Sequence, residues 1–224
     1  MNNYFTFLNS SIGKKILMSI SGIFISLFLI FHLINNMMLF AGADTFNSLV
    51  ESLESIKPII RIMEVTLLVI FLTHIINGIK LTIDNRRATP VKYLMSDGTQ
   101  NSSIYSKTMI ISGIIILLFL IIHLKYFWYT YQIHQFIGEE KYFDVILRSN
   151  LGFLNNTPTA IFYIIAIIFI GSHLKHGFQS SIKTLGLYGN KNKSFINFLG
   201  IILWFIIPVL FISIIIAIQM GIIN

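Results

Sequence analysis

The sequence predicts an all-α integral membrane protein with five transmembrane helices, four of which form a haem-binding bundle built as a duplicated hairpin. The first observation is compositional: 55% of the 224 residues are hydrophobic, only 11% are charged, and the mean hydropathy is +0.78. Soluble domains carry roughly 25% charged residues. The second is a repeat: SGIFISLFLIFHL, from Ser21, and SGIIILLFLIIHL, from Ser112, agree at ten of thirteen positions.

Five stretches are long and apolar enough to cross a bilayer, which takes about 20 mostly apolar residues in a helix. They are Lys15–Phe40, Ile59–Ile83, Met109–Tyr129, Pro158–Ile182 and Phe195–Ile222. Because these stretches account for most of the chain, we predict a single transmembrane domain over residues 1–224 and no soluble catalytic domain. The first stretch is too long for a signal peptide and lacks a small-residue cleavage site, so we expect it to remain in the mature protein.

Two of the connections should carry structure of their own. The connection from Asn85 to Ser103 contains Pro90, and we expect an ordered or docked loop there. The connection from Tyr131 to Thr157 is the longest, and we expect a short surface helix around residues 140–149.

The net charge of +7 indicates orientation in the membrane rather than affinity for nucleic acid, because the cations are not clustered on any soluble module. Cations concentrate before the first span, around the second connection and after the fourth span, whereas most acids lie in the first and third connections. The positive-inside rule then places the N-terminus in the cytoplasm and, after an odd number of spans, the C-terminus outside. We expect membrane lipid, and no nucleic acid, as a partner.

Four histidines lie inside the spans at positions related by the repeat. His32 and His123 stand near the ends of the two copies. At a rise of about 1.5 Å per residue, His32 lies roughly 7 Å beyond the middle of its span, toward the outside. His74 and His173 end later apolar runs that read HIING and HLKHG, on the cytoplasmic side of the middle. The side chains therefore sort into an outer pair and an inner pair.

Two pairs of imidazoles at two depths are what two bis-histidine b-type haems require, and such haems are suited to electron transfer. The chain has no cysteine, so thiolate zinc and iron-sulfur ligation are excluded. Stacked about 10 to 15 Å apart by the helical rise, two haems would form a pathway for electrons across the bilayer. Glycines that would leave space for a flat macrocycle accompany the histidines: Gly22, Gly78, Gly113 and Gly177.

Other interpretations of the polar residues compete with this one. A non-haem metal site would prefer histidine and carboxylate at one depth, but Glu64 and Asp84 lie near opposite ends of the second span. A single intramembrane histidine could be a hydrogen-bonded structural residue, a reading that fits four repeat-related positions poorly. We interpret His176 as a partner of an axial ligand or of a haem propionate rather than as an axial ligand itself. We interpret His134 as a solvated residue of the third connection.

Four segments together resemble the di-haem cytochrome b subunit of succinate dehydrogenase and fumarate reductase, of the bacterial type with a single five-helix anchor. They are FLIFHL in the first span, THIING in the second, FLIIHL in the third and SHLKHGFQSSIKTLG in the fourth. The resemblance implies that His32 and His123 bind the iron of the haem distal to the catalytic subunits. It implies that His74 and His173 bind the iron of the proximal haem.

The resemblance also implies partners and a location. A flavoprotein subunit with FAD would interconvert succinate and fumarate, and an iron-sulfur subunit would relay electrons on the cytoplasmic face. This chain would anchor both in the bacterial cytoplasmic (inner) membrane and conduct electrons to or from a quinone, often menaquinone in this family.

Two acidic positions of the family bear on this chain. In some members an acidic residue of the first connection is associated with quinone; by spacing from the first ligand the match is Glu54, with Glu51 as the fallback. The alternative for Glu54 is a solvated position on a surface helix. One branch of the family has a proton-conducting glutamate two residues before the fourth ligand, where this chain has Gly171.

Two other functions remain open from the sequence. The cytochrome b subunit of a membrane hydrogenase or formate dehydrogenase also uses transmembrane bis-histidine haems, and its catalytic partner would carry a metal centre in place of a flavin. A transporter that uses histidines as a proton or metal relay would be colourless, whereas a di-haem protein has a b-type spectrum.

Overall fold

The computed structural model describes residue 7, residues 10–88 and residues 108–224, and the regular elements in these ranges are all helical. Within them, five helices are long and apolar enough to cross a membrane; we call them spans 1 to 5. The prediction of an all-α fold with five membrane-spanning helices is confirmed. A loop is expected from Asn85 to Ser103, and its part from residue 89 onward lies outside the described residues. The spans cover Ser11–Ala41, Lys57–Asn85, Met109–Gln132, Thr157–Thr184 and Lys193–Gln219.

The spans are not all single α-helices. Span 1 ends in a 3-10 turn, Met38–Ala41, and π-helical turns interrupt span 3 at Leu124–Trp128 and span 5 at Ile202–Ile206. The α-helices are α1 Ser11–Met37, α2 Ala43–Ser55, α3 Lys57–Ala88, α4 Met109–His123, α5 Tyr129–Gln132, α6 Tyr142–Ile146, α7 Thr157–Thr184, α8 Lys193–Ile201 and α9 Ile207–Gln219.

Side-chain caps fix where two of the spans begin. The Ser10 hydroxyl accepts a hydrogen bond from the Gly13 amide at 3.0 Å and starts α1. The Asn156 side chain accepts one from the Thr159 amide at 3.2 Å and starts α7, with Pro158 in its first turn. A capping side chain satisfies an amide that the helix itself leaves unpaired, and proline fits the first turn because its missing N–H is not needed there.

Packing among the spans centres on span 4. Span 1 packs against spans 2 and 4, span 3 packs against span 4, and span 5 packs against spans 4 and 1. Among the spans, span 2 packs mainly on span 1, and its most apolar stretch contains no buried residue. The bundle is therefore tight around span 4 and open along span 2.

The two ends of the bundle differ. At one end, which we call the capped end (residues 42–56 and 133–156), α2 packs against the short helix α6. The Asn47 side chain accepts a hydrogen bond from the Phe143 amide at 3.0 Å, and Phe143 and Val145 are almost completely buried. Helix α6 lies within the region where the sequence predicted a short helix. At the opposite, basic end, Lys14 pairs with Asp84 at 2.7 Å and joins the start of span 1 to the end of span 2.

Span 5 lies close against span 4 at Gly171. A Cβ atom on Gly171 would lie 2.8 Å from the Trp204 carbonyl oxygen and 3.3 Å from Pro208 Cγ. Pro208 lacks the N–H that would bond a carbonyl four residues earlier, which is the carbonyl of Trp204. The freed carbonyl therefore faces a position that accommodates only glycine.

We expect Gly171→Ala to push spans 4 and 5 apart and to lower the free energy of unfolding by about 1 to 3 kcal/mol, the usual cost of overpacking. Thermal or denaturant unfolding in detergent micelles measures the change. Gly200→Ala is the matched control, since a Cβ there would meet Phe178 Cδ1 at an ordinary 3.6 Å. Equal losses in the two variants would contradict the packing argument.

Candidate cofactor-binding site

Two pairs of histidines face each other across the bundle. The ring centroids of His32 and His123 lie 5.7 Å apart, and those of His74 and His173 lie 6.4 Å apart. The first pair joins span 1 to span 3, and the second joins span 2 to span 4. All four histidines are half-buried.

The donor set fits a haem better than a bare metal ion. A metal held by two imidazole nitrogens, each about 2.0 to 2.1 Å away, separates the ring centroids by roughly 6 Å. Both pairs lie near this value. Among the described residues there is no cluster of three or more histidine, cysteine or acidic side chains, as an isolated zinc or iron site would need. Two imidazoles alone match the two axial positions of a b-type haem.

Serine hydroxyls hold the second pair. The Ser21 Oγ lies 3.1 Å from His74 Nδ1, and the Ser112 Oγ lies 3.0 Å from His173 Nδ1. Both serines are buried. Each serine belongs to the span before its histidine, so the contact ties span 1 to span 2 and span 3 to span 4.

The glycine that follows each serine makes room for the same ring. A Cβ on Gly22 would lie 3.3 Å from His74 Cε1, and one on Gly113 would lie 3.8 Å from His173 Cε1. The other two glycines predicted to flank a macrocycle instead face methionines of the preceding span: Gly78 faces Met18 and Gly177 faces Met109. Each methionine lies one helical turn before the serine of its span. The duplicated hairpin therefore repeats its side-chain contacts as well as its sequence.

Aromatic rings surround the first pair. Phe28 stacks on His32 with centroids 5.4 Å apart, and Phe119 stacks on His123 at 5.5 Å. The two phenylalanines occupy equivalent positions of the repeat. Phe211 of span 5 lies 5.8 Å from His32. Rings from three spans therefore give this pair an apolar surrounding.

Polar partners are sparser around the first pair than around the second. The buried Nδ1 of His123 and the buried hydroxyl of Tyr163 have no hydrogen-bond partner among the described residues. Asn36 approaches His32 Nε2 only at 3.5 Å, while its amide bonds the His32 carbonyl at 2.8 Å. A distance of 3.5 Å is too long for a strong hydrogen bond, which leaves this Nε2 weakly engaged.

The two pairs lie at different levels of the bundle. Ser21, which contacts His74, precedes His32 by eleven residues on α1, or about 16 Å at 1.5 Å per residue. Ser112 precedes His123 by the same number of residues. The His74 and His173 pair therefore lies toward the basic end, and the His32 and His123 pair lies toward the capped end.

Glu54 links the two connections at the capped end. Its carboxylate lies 3.4 Å from Lys57 Nζ and 3.7 Å from His134 Nε2. A side-chain hydrogen bond from Tyr142 is the main reason that the pKa of Glu54 lies below its ordinary value. Glu54 therefore stays ionised to a lower pH than a free glutamate. The stability it contributes is present above its unfolded pKa and is lost as the pH falls through its folded pKa.

The remaining site residues from the sequence lie in simpler surroundings. Glu51 is exposed and lies 3.9 Å from Lys141. The His134 side chain is 47% exposed, as expected of a solvated residue, and its Nδ1 lies 2.8 Å from the Tyr131 carbonyl oxygen. His176 is half-buried one turn after His173 on α7, with Lys183 among its ionisable neighbours.

A polar cluster between spans 2 and 3 was not predicted from the sequence. Arg61 Nη1 donates to Glu64 at 2.7 Å, and Trp128 Nε1 and Gln132 Nε2 each donate to the other carboxylate oxygen at 3.0 Å. Arg61 also donates to the Gln132 side-chain oxygen. Spans 2 and 3 share few other close contacts among the described residues, so this cluster is their main direct link.

The chain matches one family model. Residues 15–85 match the succinate dehydrogenase/fumarate reductase transmembrane subunit. The matched segment covers most of spans 1 and 2 and includes His32 and His74. The resemblance stated from the sequence motifs is therefore confirmed over this part of the chain, and the protein is a multi-pass membrane protein. Comparisons with curated proteins and with solved structures found no match.

Glu64→Ala should leave Arg61, Trp128 and Gln132 without their shared acceptor and loosen span 2 from span 3. Since hydrogen bonds to charged groups are worth about 1.5 to 3 kcal/mol and Glu64 is partly exposed, we expect a loss of about 1 to 3 kcal/mol in unfolding free energy. Thermal unfolding in detergent measures it. Glu51→Ala, which removes only a loose surface pair, should cost less than about 0.5 kcal/mol; similar losses in both variants would refute the linking role.

Proposed function

We propose that this chain is the membrane anchor and electron conduit of a succinate:quinone oxidoreductase and holds two b-type haems. The observation that carries the proposal is the pairing of four intramembrane histidines into two facing pairs at two levels, with ring centroids 5.7 and 6.4 Å apart. The match of residues 15–85 to the transmembrane subunit of succinate dehydrogenase and fumarate reductase supports the anchoring role.

His32 and His123 would hold the distal haem, and His74 and His173 the proximal one. When bound, a haem with two imidazole ligands supplies reversible one-electron transfer without an open coordination position. The chain contributes the ligands and their orientation. It also contributes an apolar surrounding, in which Phe28 and Phe119 cover two of the ligand rings.

The charge distribution sets the proposed orientation. The basic end gathers Lys14, Lys80 and Arg87. It also holds the cations around the turn from span 4 to span 5, which are Lys183, Lys191 and Lys193. By the positive-inside rule this end faces the cytoplasm, and the C-terminus lies outside. A flavoprotein subunit with FAD and an iron-sulfur subunit would dock at this end, next to the His74 and His173 level. His176 and Lys183, at the same end of span 4, are suited to partner the proximal haem.

A quinone, menaquinone being the family's common choice, would react at the capped end. Quinone reduction takes up protons, and an ionised carboxylate near the site can accept a hydrogen bond and pass a proton on. Glu54 is such a carboxylate: its pKa is depressed, and it contacts side chains of both connections at this end. Glu51 stands one helical turn earlier as the fallback.

The haem content of the purified protein tests the proposal. We expect a reduced-minus-oxidised b-type spectrum and about two haems per chain, one for each bis-imidazole pair. His32→Ala or His123→Ala should remove one haem, and His74→Ala or His173→Ala should remove the other. His134→Ala should remove neither. A colourless protein, or an unchanged spectrum in His123→Ala, would end the proposal. Because loss of both haems could arise from unfolding, each variant is also checked for helix content by circular dichroism.

Glu54→Gln should slow quinone turnover by at least about tenfold, in the range over which positioned proton-transfer groups act. Both haems and succinate oxidation by the flavoprotein with an artificial acceptor should be unaffected. The assay compares the complex with quinone and with that acceptor. Glu51→Gln is made in parallel. Normal quinone kinetics in both variants would exclude an acidic residue of this connection from the reaction.

A further inference from the structure

Ser21 and Ser112 begin the two copies of the repeat, and each contacts a histidine of the following span rather than the histidine of its own copy. The contacts to Nδ1 are 3.1 Å for His74 and 3.0 Å for His173. The exposed fractions of the two serines are 5% and 2%. Two buried hydroxyls in equivalent positions therefore serve the two ligands of one proposed haem.

The direction of these hydrogen bonds follows from where each hydroxyl proton goes. Ser21 donates to the Met18 carbonyl at 3.1 Å, and Ser112 donates to the Met109 carbonyl at 2.9 Å. With its single proton used, a hydroxyl can only accept from the imidazole. A ring that donates from Nδ1 carries its proton there, and its Nε2 then has a free lone pair.

We propose that Ser21 and Ser112 are positioning residues that hold His74 and His173 as Nδ1–H tautomers and present both Nε2 atoms to one haem iron. This inference rests on the proposed function for the identity of the metal group, although the serine–histidine bond itself does not. Hydrogen bonds to the second nitrogen of a metal-bound imidazole fix the ring and raise its basicity. A stronger donor favours ferric iron, so these bonds lower the reduction potential of that haem relative to the same site without them.

The effect is confined to one of the two sites. At the other site, His123 Nδ1 has no acceptor among the described residues. Removing either serine should therefore change the haem at His74 and His173 and leave the other haem as it was.

Ser21→Ala and Ser112→Ala test the proposal in the full-length protein. Both should still bind about two haems per chain. One haem should show a more positive midpoint potential and altered low-spin electron paramagnetic resonance g values, and the other haem should be unchanged. The matched control is Ser26→Ala, since Ser26 is also buried on α1 but, among the described residues, its hydroxyl bonds only the Gly22 carbonyl, at 2.8 Å.

A second measurement keeps the two proposals distinguishable. Nitrogen-15 NMR of histidine-labelled protein prepared without haem reports the tautomers directly: His74 and His173 should be protonated at Nδ1 in the unaltered chain, and the variants should lose this preference. If the unaltered chain binds no haem but shows the Nδ1–H tautomers, the proposed function fails and the serine–histidine bond stands.

Two results would overturn the positioning role. One is a pair of serine variants whose potentials and g values match those of Ser26→Ala. The other is an Nε2–H tautomer at His74 and His173 in the unaltered chain. If Ser21→Ala does not fold, Ser21→Thr retains the hydroxyl oxygen and decides the matter: wild-type g values support the role, and g values shifted as in Ser112→Ala contradict it.

Discussion

An imidazole inside a bilayer has two ring nitrogens to satisfy, and no water is at hand to satisfy them. Much of this structure follows from that constraint. For His74 and His173 one nitrogen is satisfied by a serine from the neighbouring span, which leaves the other nitrogen for a metal. Each such bond also fixes the register of one hairpin, because a shift of one residue along either helix would move the hydroxyl away from the ring.

The thirteen-residue repeat therefore acts at two levels of the membrane at once. Its first two residues, serine and glycine, hold and accommodate a ring from the next span. Its phenylalanine and histidine, seven and eleven residues after the serine, form the other site: Phe28 stacks on His32 and Phe119 stacks on His123. One segment thus contributes to both sites, because about 16 Å of helical rise separates its serine from its histidine.

The sequence was sufficient for the five spans and for the sorting of the histidines, because both depend on hydrophobic length and on repeat position. It was insufficient to predict the contacts of Ser21 and Ser112, because the histidines that they contact lie on another helix. The position of both serines at the start of the repeat could have indicated a shared role. The Glu64 cluster was missed for the same reason, because Trp128 and Gln132 lie on a different span from Glu64. The π-helical turn that ends at Trp128 is also a feature that hydropathy does not reveal. Gly171 stands where the resemblance would place the glutamate of one family branch, and the Trp204 carbonyl of span 5 leaves no space there for a side chain.

The open side of the bundle gives the proposed cofactors a structural role as well as a redox one. Spans 1, 4 and 5 bury one another, but the most apolar stretch of span 2 contains no buried residue, and spans 2 and 3 meet mainly through the Glu64 cluster. A group bound between His74 and His173 connects span 2 to span 4 at a level where the helices themselves do not pack closely. A ligand that binds only the folded state stabilises that state by mass action. Haem insertion and the approach of span 2 to span 4 are, on this proposal, a single linked equilibrium.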